Sequence, residues 1–126
     1  IKISQKASEK RIQQKILLEL NVAQEASKSG FSQKELELQF ESLLELPHLR
    51  LGGLMLLPPP VDNPELVRPH FKAANKMFQE LLNHIPGERK SDWNSLSMGT
   101  TQDFEVAIQE GASLIRVGTA IFGERE

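Results

Sequence analysis

Two short segments near the end of the sequence combine residue types that bind anions. Ser97, Met98 and Gly99 end one apolar run, and Gly118 and Thr119 end the next. Glycine lets a ligand approach the backbone closely, and serine and threonine hydroxyls add hydrogen-bond donors. If each segment leads into a helix, the unpaired amides of that helix face the same ligand. Together the two segments predict a site for an anionic ligand such as a phosphate group.

Arg116 lies within the second apolar run and carries a charge that needs an acceptor when it is buried. Side chains alternate along a strand, so Arg116 shares one side with Leu114, while Ile115 and Val117 take the other. If the apolar pair faces covering helices, Arg116 points inward, just below the predicted phosphate site. There it could donate to a ring nitrogen or a carboxylate of the same ligand. The alternative is an ion pair with a structural carboxylate.

Apolar runs of strand length alternate along the chain with segments whose apolar residues recur at helical spacing. These strands and helices must position the predicted site residues. A strand covered on both faces is apolar almost throughout. Gly52 and Gly53 interrupt the second run, which suggests close approach of another backbone or a ligand. A helix or its remnant is expected over residues 2–14. The predicted strands cover 16–22, 51–57, 93–98 and 114–117.

Capping signals mark the helices that follow the first two strands. Ser32 begins the capping box Ser-Gln-Lys-Glu, and Pro47 closes that helix. Asn63 is the expected N-cap of the next helix, which is predicted to begin at Pro64 and to continue to Ile85. Both helices carry apolar side chains at helical spacing, as expected for elements that pack against a sheet.

The last predicted helix follows the third strand. Thr100 or Thr101 can cap it. Its predicted buried face consists of Phe104, Ala107 and Ile108, which recur at helical spacing.

The order of elements predicts an α/β fold with parallel strands and outer helices. A small doubly wound sheet and part of a (β/α)₈ TIM barrel both fit this order. A full barrel needs about 250 residues, whereas this chain has 126 and opens on a helix with no strand before it. We therefore expect a single domain over residues 1–126 that is the C-terminal half of a (β/α)₈ barrel. Ligands of such folds bind at the C-terminal ends of the strands, where Asn21 ends the first strand.

Composition excludes several classes of function. The formal net charge is −2, with acidic and basic residues interspersed, so the chain has no electrostatic footprint for nucleic acid or an anionic membrane. No apolar run approaches the roughly 20 residues that span a bilayer. The three histidines lack metal-ligand spacing, so no metal is expected. Cysteine is absent, which fits a cytoplasmic setting.

Four blocks of the sequence resemble the pyridoxal phosphate homeostasis protein family, whose members are alanine-racemase-like barrels without a second domain. The resemblance is to the C-terminal half of these proteins and covers most of the chain. The last two blocks are highly specific, and the others support them. The blocks are LLELNVAQEASKSGF at 17–31, LRLGGLMLLPP at 49–59, LSMGTTQDFEVAIQEGAS at 96–113 and LIRVGTAIFGER at 114–125.

The resemblance implies a non-catalytic protein that binds pyridoxal 5′-phosphate (PLP) and acts in vitamin B6 and amino-acid homeostasis. It implies that Arg116 faces the pyridine nitrogen, with Asn21 and Met55 near the ring. Since arginine does not give up a proton, the ring nitrogen would stay unprotonated and the cofactor would be a poor electron sink. The residues implied to hold the phosphate or to line the same turn are Ser97, Met98, Gly99, Gly118 and Thr119.

The same resemblance places the Schiff-base lysine on an early strand, in the N-terminal half that this sequence lacks. We expect a monomer for the full-length protein and association for the isolated half. Two enzyme hypotheses remain open: a PLP-dependent amino-acid racemase or decarboxylase of the same barrel type, and a barrel enzyme acting on a phosphorylated metabolite. The chain contains no tyrosine, so it cannot supply the usual tyrosine base of a racemase.

Overall fold

A computed structural model describes residues 2–22, 30–59 and 61–118 of the chain. Helices and strands alternate along it, as predicted, and two short 3₁₀ helices lie at Pro64–Val67 and Gly87–Asp92. The helices and strands, in chain order, are α1 (Lys2–Glu9), β1 (Gln14–Leu20), α2 (Gln33–Leu44), β2 (Leu49–Leu56), α3 (Arg68–Leu82), β3 (Ser95–Thr100), α4 (Phe104–Gln109) and β4 (Leu114–Arg116).

The four strands form one parallel sheet in the order β1-β2-β3-β4. Sequential parallel strands joined through helices are the architecture of half a (β/α)₈ barrel, so the fold-class prediction is confirmed. The buried cluster joins apolar side chains from the strands to those of α2, α3 and α4. We call the opposite face of the sheet, turned away from these helices, the inner face.

Alternation along each strand decides which side chains reach the inner face. The buried cluster takes Leu18 and Leu20 from β1, Leu54 and Leu56 from β2, and Leu96 and Met98 from β3. The residues between them therefore face inward. These include Leu17, Glu19, Met55 and Ser97.

The helix that was predicted to begin at Pro64 is divided in the structure. The Asn63 side chain accepts a hydrogen bond from the Glu65 amide at 3.0 Å, but it caps a 3₁₀ helix, and α3 begins only at Arg68. Pro69 accounts for the division, because it has no amide to donate to the Glu65 carbonyl of a continuous α-helix. The Ser32 cap of α2 is confirmed, with its hydroxyl accepting from the Glu35 amide at 3.1 Å.

The third strand begins at Ser95, two residues later than predicted, because Trp93 belongs to the core. Its ring lies 5.4 Å from that of Phe40 and 5.3 Å from that of Phe78. The indole N–H donates to the Phe78 carbonyl at 3.0 Å. Trp93 therefore fastens the turn before β3 to α2 and α3.

The buried face of α4 also differs from the prediction. Val106 and Ala107 are buried, whereas Ile108 is 52% exposed. Ala107 packs against Gly99 of β3, and this contact sets the rotation of the helix. Ile108 is one residue further round the helix and so turns outward.

The close approach predicted at Gly53 is confirmed. A Cβ atom at this position would lie 1.6 Å from the carbonyl oxygen of Ser95, and the φ of Gly53 is 145°. Glycine is therefore required where β2 meets the start of β3. None of the helices in the described part of the chain has the length and apolar character needed to cross a membrane.

Candidate functional site at the C-terminal edge of the sheet

A row of side chains crosses the inner face near the C-terminal ends of the strands. Strand register places Glu19 beside Met55, Met55 beside Ser97, and Ser97 beside Leu114. Neighbours in a parallel sheet point to the same face, so these four side chains form one layer. The layer joins a carboxylate, a thioether and a hydroxyl from three different strands.

Ser97 and Met98 are adjacent in sequence but serve opposite faces. Ser97 is only 4% exposed and lies between Met55 and Leu114 on the inner face. Met98 is fully buried in the core between sheet and helices. Only the backbone of Met98 is therefore available to a ligand on the inner face.

Gly99 has a structural role near the end of β3. Its φ is 105°, and a Cβ atom there would lie 2.7 Å from the Ala107 side chain and 3.2 Å from Phe104. The β3–β4 register shifts in the same place, between Ser97 and Thr100. The glycine thus allows α4 to close against the strand.

Arg116 extends from β4 across the inner face. Its Nη2 donates to the Leu56 carbonyl at the end of β2, at 2.6 Å. Because β3 lies between these two strands, the side chain crosses β3, where Arg116 pairs with Thr100. Its Nε is buried and, among the described residues, has no hydrogen-bond partner. A buried donor left unpaired is costly, so this atom requires an acceptor from outside the described residues.

Two carboxylates influence the charge of this arginine. Burial lowers the pKa of Arg116, while the negative charges of Asp103 and Glu19 act in the opposite direction and favour the protonated form. Neither carboxylate was singled out from the sequence. A signal existed for Glu19, an acid inside an apolar run and two residues before Asn21, hence on the same face.

The remaining predicted site residues are distributed along the same edge. Asn21 follows β1 and is half-buried, and its backbone amide donates to the Phe31 carbonyl at 2.7 Å. Gly118 follows β4 and is exposed. Thr119 lies outside the described residues. The structure thus gathers Met55, Ser97 and Arg116 on one face.

Two grooves of the described chain lie elsewhere. One of about 430 Å³ lies between α2 and α3, and one of about 650 Å³ lies beside the N-terminal end of β2. Their linings include Glu41 and His84 but none of the inner-face residues. We therefore assign the candidate site by its chemistry and by the Arg116 Nε, which no described residue pairs, rather than by the presence of a cavity.

The sequence profile of the alanine racemase N-terminal domain family matches residues 2–126. The chain belongs to this family. Its parallel strands with outer helices agree with that assignment.

Two curated relatives with the same name are similar to the chain in sequence. The chain is 43% identical over 124 residues to the pyridoxal phosphate homeostasis protein of Aquifex aeolicus, covering 98% of this chain and 53% of that protein. It is 40% identical over 114 residues to the Escherichia coli K12 protein of the same name, covering 88% and 45%. The chain thus spans about half the length of the curated relatives it matches.

Two solved structures are similar in fold to this chain. PipY of Synechococcus elongatus, whose structure was determined with PLP bound, superposes with a TM-score of 0.82 at 27% identity, covering 96% of this chain and 54% of PipY. A crystal structure of a Bifidobacterium adolescentis protein gives a TM-score of 0.86 at 35% identity, covering 96% and 47%.

Proposed function

We propose that this chain forms the C-terminal half of a PLP-binding barrel that acts in vitamin B6 homeostasis without catalysing a reaction. The observation that carries the proposal is the buried Nε of Arg116 on the inner face, which has no hydrogen-bond partner among the described residues. The names of the relatives and the PLP-bound structure of PipY support it.

The residues present fit the chemistry of PLP. The ligand joins an anionic phosphate ester to a pyridine ring whose nitrogen accepts a hydrogen bond. Arg116 supplies a donor that has no partner within the described part of the chain, and Ser97 supplies a hydroxyl on the same face. We assign the phosphate to Ser97, Gly118 and Thr119, with the backbone of Met98 and Gly99 forming the adjoining turn. Met55 and Asn21 are assigned to the surroundings of the ring.

Arg116 also accounts for the proposed absence of turnover. Bound PLP acts in enzymes as an electron sink, most effectively when its ring nitrogen is protonated. An arginine holds its own protons and offers a hydrogen bond without transferring one. The Arg116 guanidinium would therefore orient the ring while leaving its nitrogen neutral. Detection of PLP-dependent racemase or decarboxylase turnover in the purified protein would contradict this part of the proposal.

The edges of the sheet support the proposal of a half-barrel. Among the described residues, β1 and β4 each pair with one neighbouring strand, so one side of each strand is left as an edge. Near its end, β1 is bonded to Phe31, whose amide donates to the Glu19 carbonyl at 2.8 Å. Leu114 on the inner face is 49% exposed. We propose that further strands pair with both edges and cover this face in the complete barrel.

The test is an absorbance titration with PLP, using protein expressed from the complete open reading frame. We expect wild-type protein to shift the PLP absorbance band. Replacement Arg116→Gln should weaken binding roughly 10- to 100-fold, since hydrogen bonds from charged groups contribute about 1.5–3 kcal/mol.

Arg50→Gln is the matched control. Arg50 lies near the N-terminal end of β2, half-exposed and 4.0 Å from Asp92. Its replacement should leave PLP binding unchanged. A wild-type protein without a band shift, or an Arg116 variant that binds PLP as tightly as wild type, would refute the proposal.

A further inference from the structure

The second strand carries a β-bulge at Gly52. Ile16 of β1 pairs with Leu51, whereas the next residue of β1, Leu17, pairs with Gly53. Gly52 is therefore an extra residue of β2 that the β1–β2 register passes over. An extra residue of this kind shifts the alternation of all the side chains that follow it by one position.

The burial of side chains along β2 shows this shift. The helix-facing residues of β1 alternate regularly and pair with three residues of β2 that all belong to the buried cluster. These pairs are Ile16 with Leu51, Leu18 with Leu54, and Leu20 with Leu56. A β2 strand without the extra residue would carry Met55 on the helix side. The bulge therefore brings Met55 to the inner face.

Lys15 covers this bulge. It precedes the helix-facing Ile16 and so points to the inner face. A Cβ atom at Gly52 would lie 2.3 Å from the Lys15 Cε, so the stem of the lysine occupies the space of a side chain there. The Lys15 Nζ donates to Asn94 Oδ1 at 2.9 Å, and the Asn94 amide donates to the Gly52 carbonyl at 3.1 Å. Lys15 and Asn94 together enclose the bulged residue.

The residues that follow the bulge contribute to the candidate site. Met55 belongs to the layer on the inner face, and the Leu56 carbonyl accepts the hydrogen bond from Arg116. Because a slip of one residue exchanges the two faces of a strand, a bulge that moved along β2 would displace both groups. The place of the bulge therefore decides whether Arg116 reaches its acceptor.

We propose that Lys15 is a positioning residue for the PLP site and acts by holding the bulge at Gly52. The bulge in turn keeps Met55 on the inner face and the Leu56 carbonyl within reach of Arg116. This inference rests on the proposed function. Lys15 is the second residue of β1, whereas the site lies at the C-terminal ends of the strands. Its effect on binding is therefore transmitted through β2 and not by contact with the ligand.

The experiment is a double-mutant cycle on PLP affinity, in protein from the complete open reading frame. Lys15→Met keeps an aliphatic stem over Gly52 and removes the donor to Asn94. In the wild-type background we expect it to weaken PLP binding roughly three- to tenfold, the range of one net hydrogen bond. In the Arg116→Gln background the same replacement should change the affinity by less than about twofold, because the group that the bulge positions is absent.

The cycle separates positioning from two simpler effects of losing Lys15. Removal of a positive charge weakens the attraction of an anionic ligand, and a general loss of stability lowers the population of folded protein. Both effects would persist after Arg116 has been replaced. Positioning that acts through Arg116 would disappear.

A second variant tests the bulge while it retains the lysine charge. In Gly52→Ala the new methyl group overlaps the stem of Lys15 and displaces it from Asn94. This variant should reproduce the loss of PLP affinity, again only when Arg116 is present, and it serves alone if thermal melting shows that Lys15→Met is unfolded. Lys76→Met is the matched control, because Lys76 is exposed on α3 and its replacement should leave PLP affinity unchanged in both backgrounds.

The outcomes distinguish this inference from the function on which it rests. If Lys15→Met leaves PLP affinity unchanged, or weakens it equally in both backgrounds, the inference is overturned while PLP binding stands. If wild-type protein fails to bind PLP, the proposed function and the inference both fall. A loss of affinity that disappears when Arg116 is replaced is the result that supports Lys15 as a positioning residue.

Discussion

Arg116 combines two properties that rarely occur together in a structural arginine. Its guanidinium is tied to a backbone carbonyl two strands away, yet its Nε is buried without a partner in the described chain. Burying a charged donor in this way is costly. The arrangement is understandable if the missing acceptor belongs to a ligand, and this is the basis of the proposed function.

The sequence could predict which side of β4 Arg116 occupies, because strand alternation is local and the flanking Ile115 and Val117 are apolar. It could not predict the partner of the guanidinium, since the Leu56 carbonyl is 60 residues away in the chain. The sequence also could not predict that the Asp103 carboxylate accepts from the Thr100 amide instead of capping α4. This hydrogen bond depends on the conformation of the Thr100–Asp103 turn, whereas the residue types alone favoured a conventional cap.

At the scale of elements, the turn from β3 to α4 links packing to the candidate site. Gly99 lets α4 approach the strand, and the Asp103 carboxylate holds the turn by accepting from the Thr100 amide. Ser97 lies on the same strand, before Gly99. A change that pushes α4 away would therefore disturb the inner face as well as the core.

Replacement Gly99→Ala should destabilise the fold by about 2–4 kcal/mol, because the added methyl group overlaps Ala107 and an L-residue is strained at this φ. The measurement is urea unfolding followed by the fluorescence of Trp93, the only tryptophan of the chain. Gly87→Ala is the matched control, since nothing lies within 4 Å of a Cβ atom there. Equal unfolding free energies for the two variants would contradict this account of Gly99.

Local signals predicted most elements well, and a long-range contact misplaced the start of β3, whereas the division of the helix before Arg68 has a local cause in Pro69. The Ser32 cap depends on residues close in sequence and was predicted correctly. The start of β3 was misplaced because Trp93 packs with Phe40, more than 50 residues away in the chain. An apolar residue beside a strand can extend the strand or enter the core, and only the tertiary packing decides.

At the scale of the whole molecule, the alternation of strands and helices was enough to predict a parallel sheet with outer helices. The sequence could not show how far the inner face is exposed, because that depends on the tertiary packing of the sheet. Within the residues that the structure describes, the sheet has two edge strands, β1 and β4, and carries Leu114 half-exposed on the inner face. Exposed edges and apolar side chains favour association.

We therefore expect the isolated 126-residue chain to associate in solution, as light scattering would show. Leu114→Lys should shift the chain towards the monomer, because it places a charge on the inner face next to the β4 edge. Leu38→Lys is the matched control, since Leu38 is 75% exposed on α2. A wild-type chain that is monomeric and melts cooperatively would argue against an open half-barrel.

The central claim is that Arg116 donates to the ring nitrogen of bound PLP and leaves that nitrogen unprotonated. Nitrogen-15 NMR of ring-labelled PLP, bound to protein from the complete open reading frame, tests it most directly. At neutral pH we predict the chemical shift of a neutral, hydrogen-bonded pyridine, and a clear change of that shift in the Arg116→Gln variant. The chemical shift of a protonated pyridinium, or a shift that is unaffected by the replacement, would contradict the account.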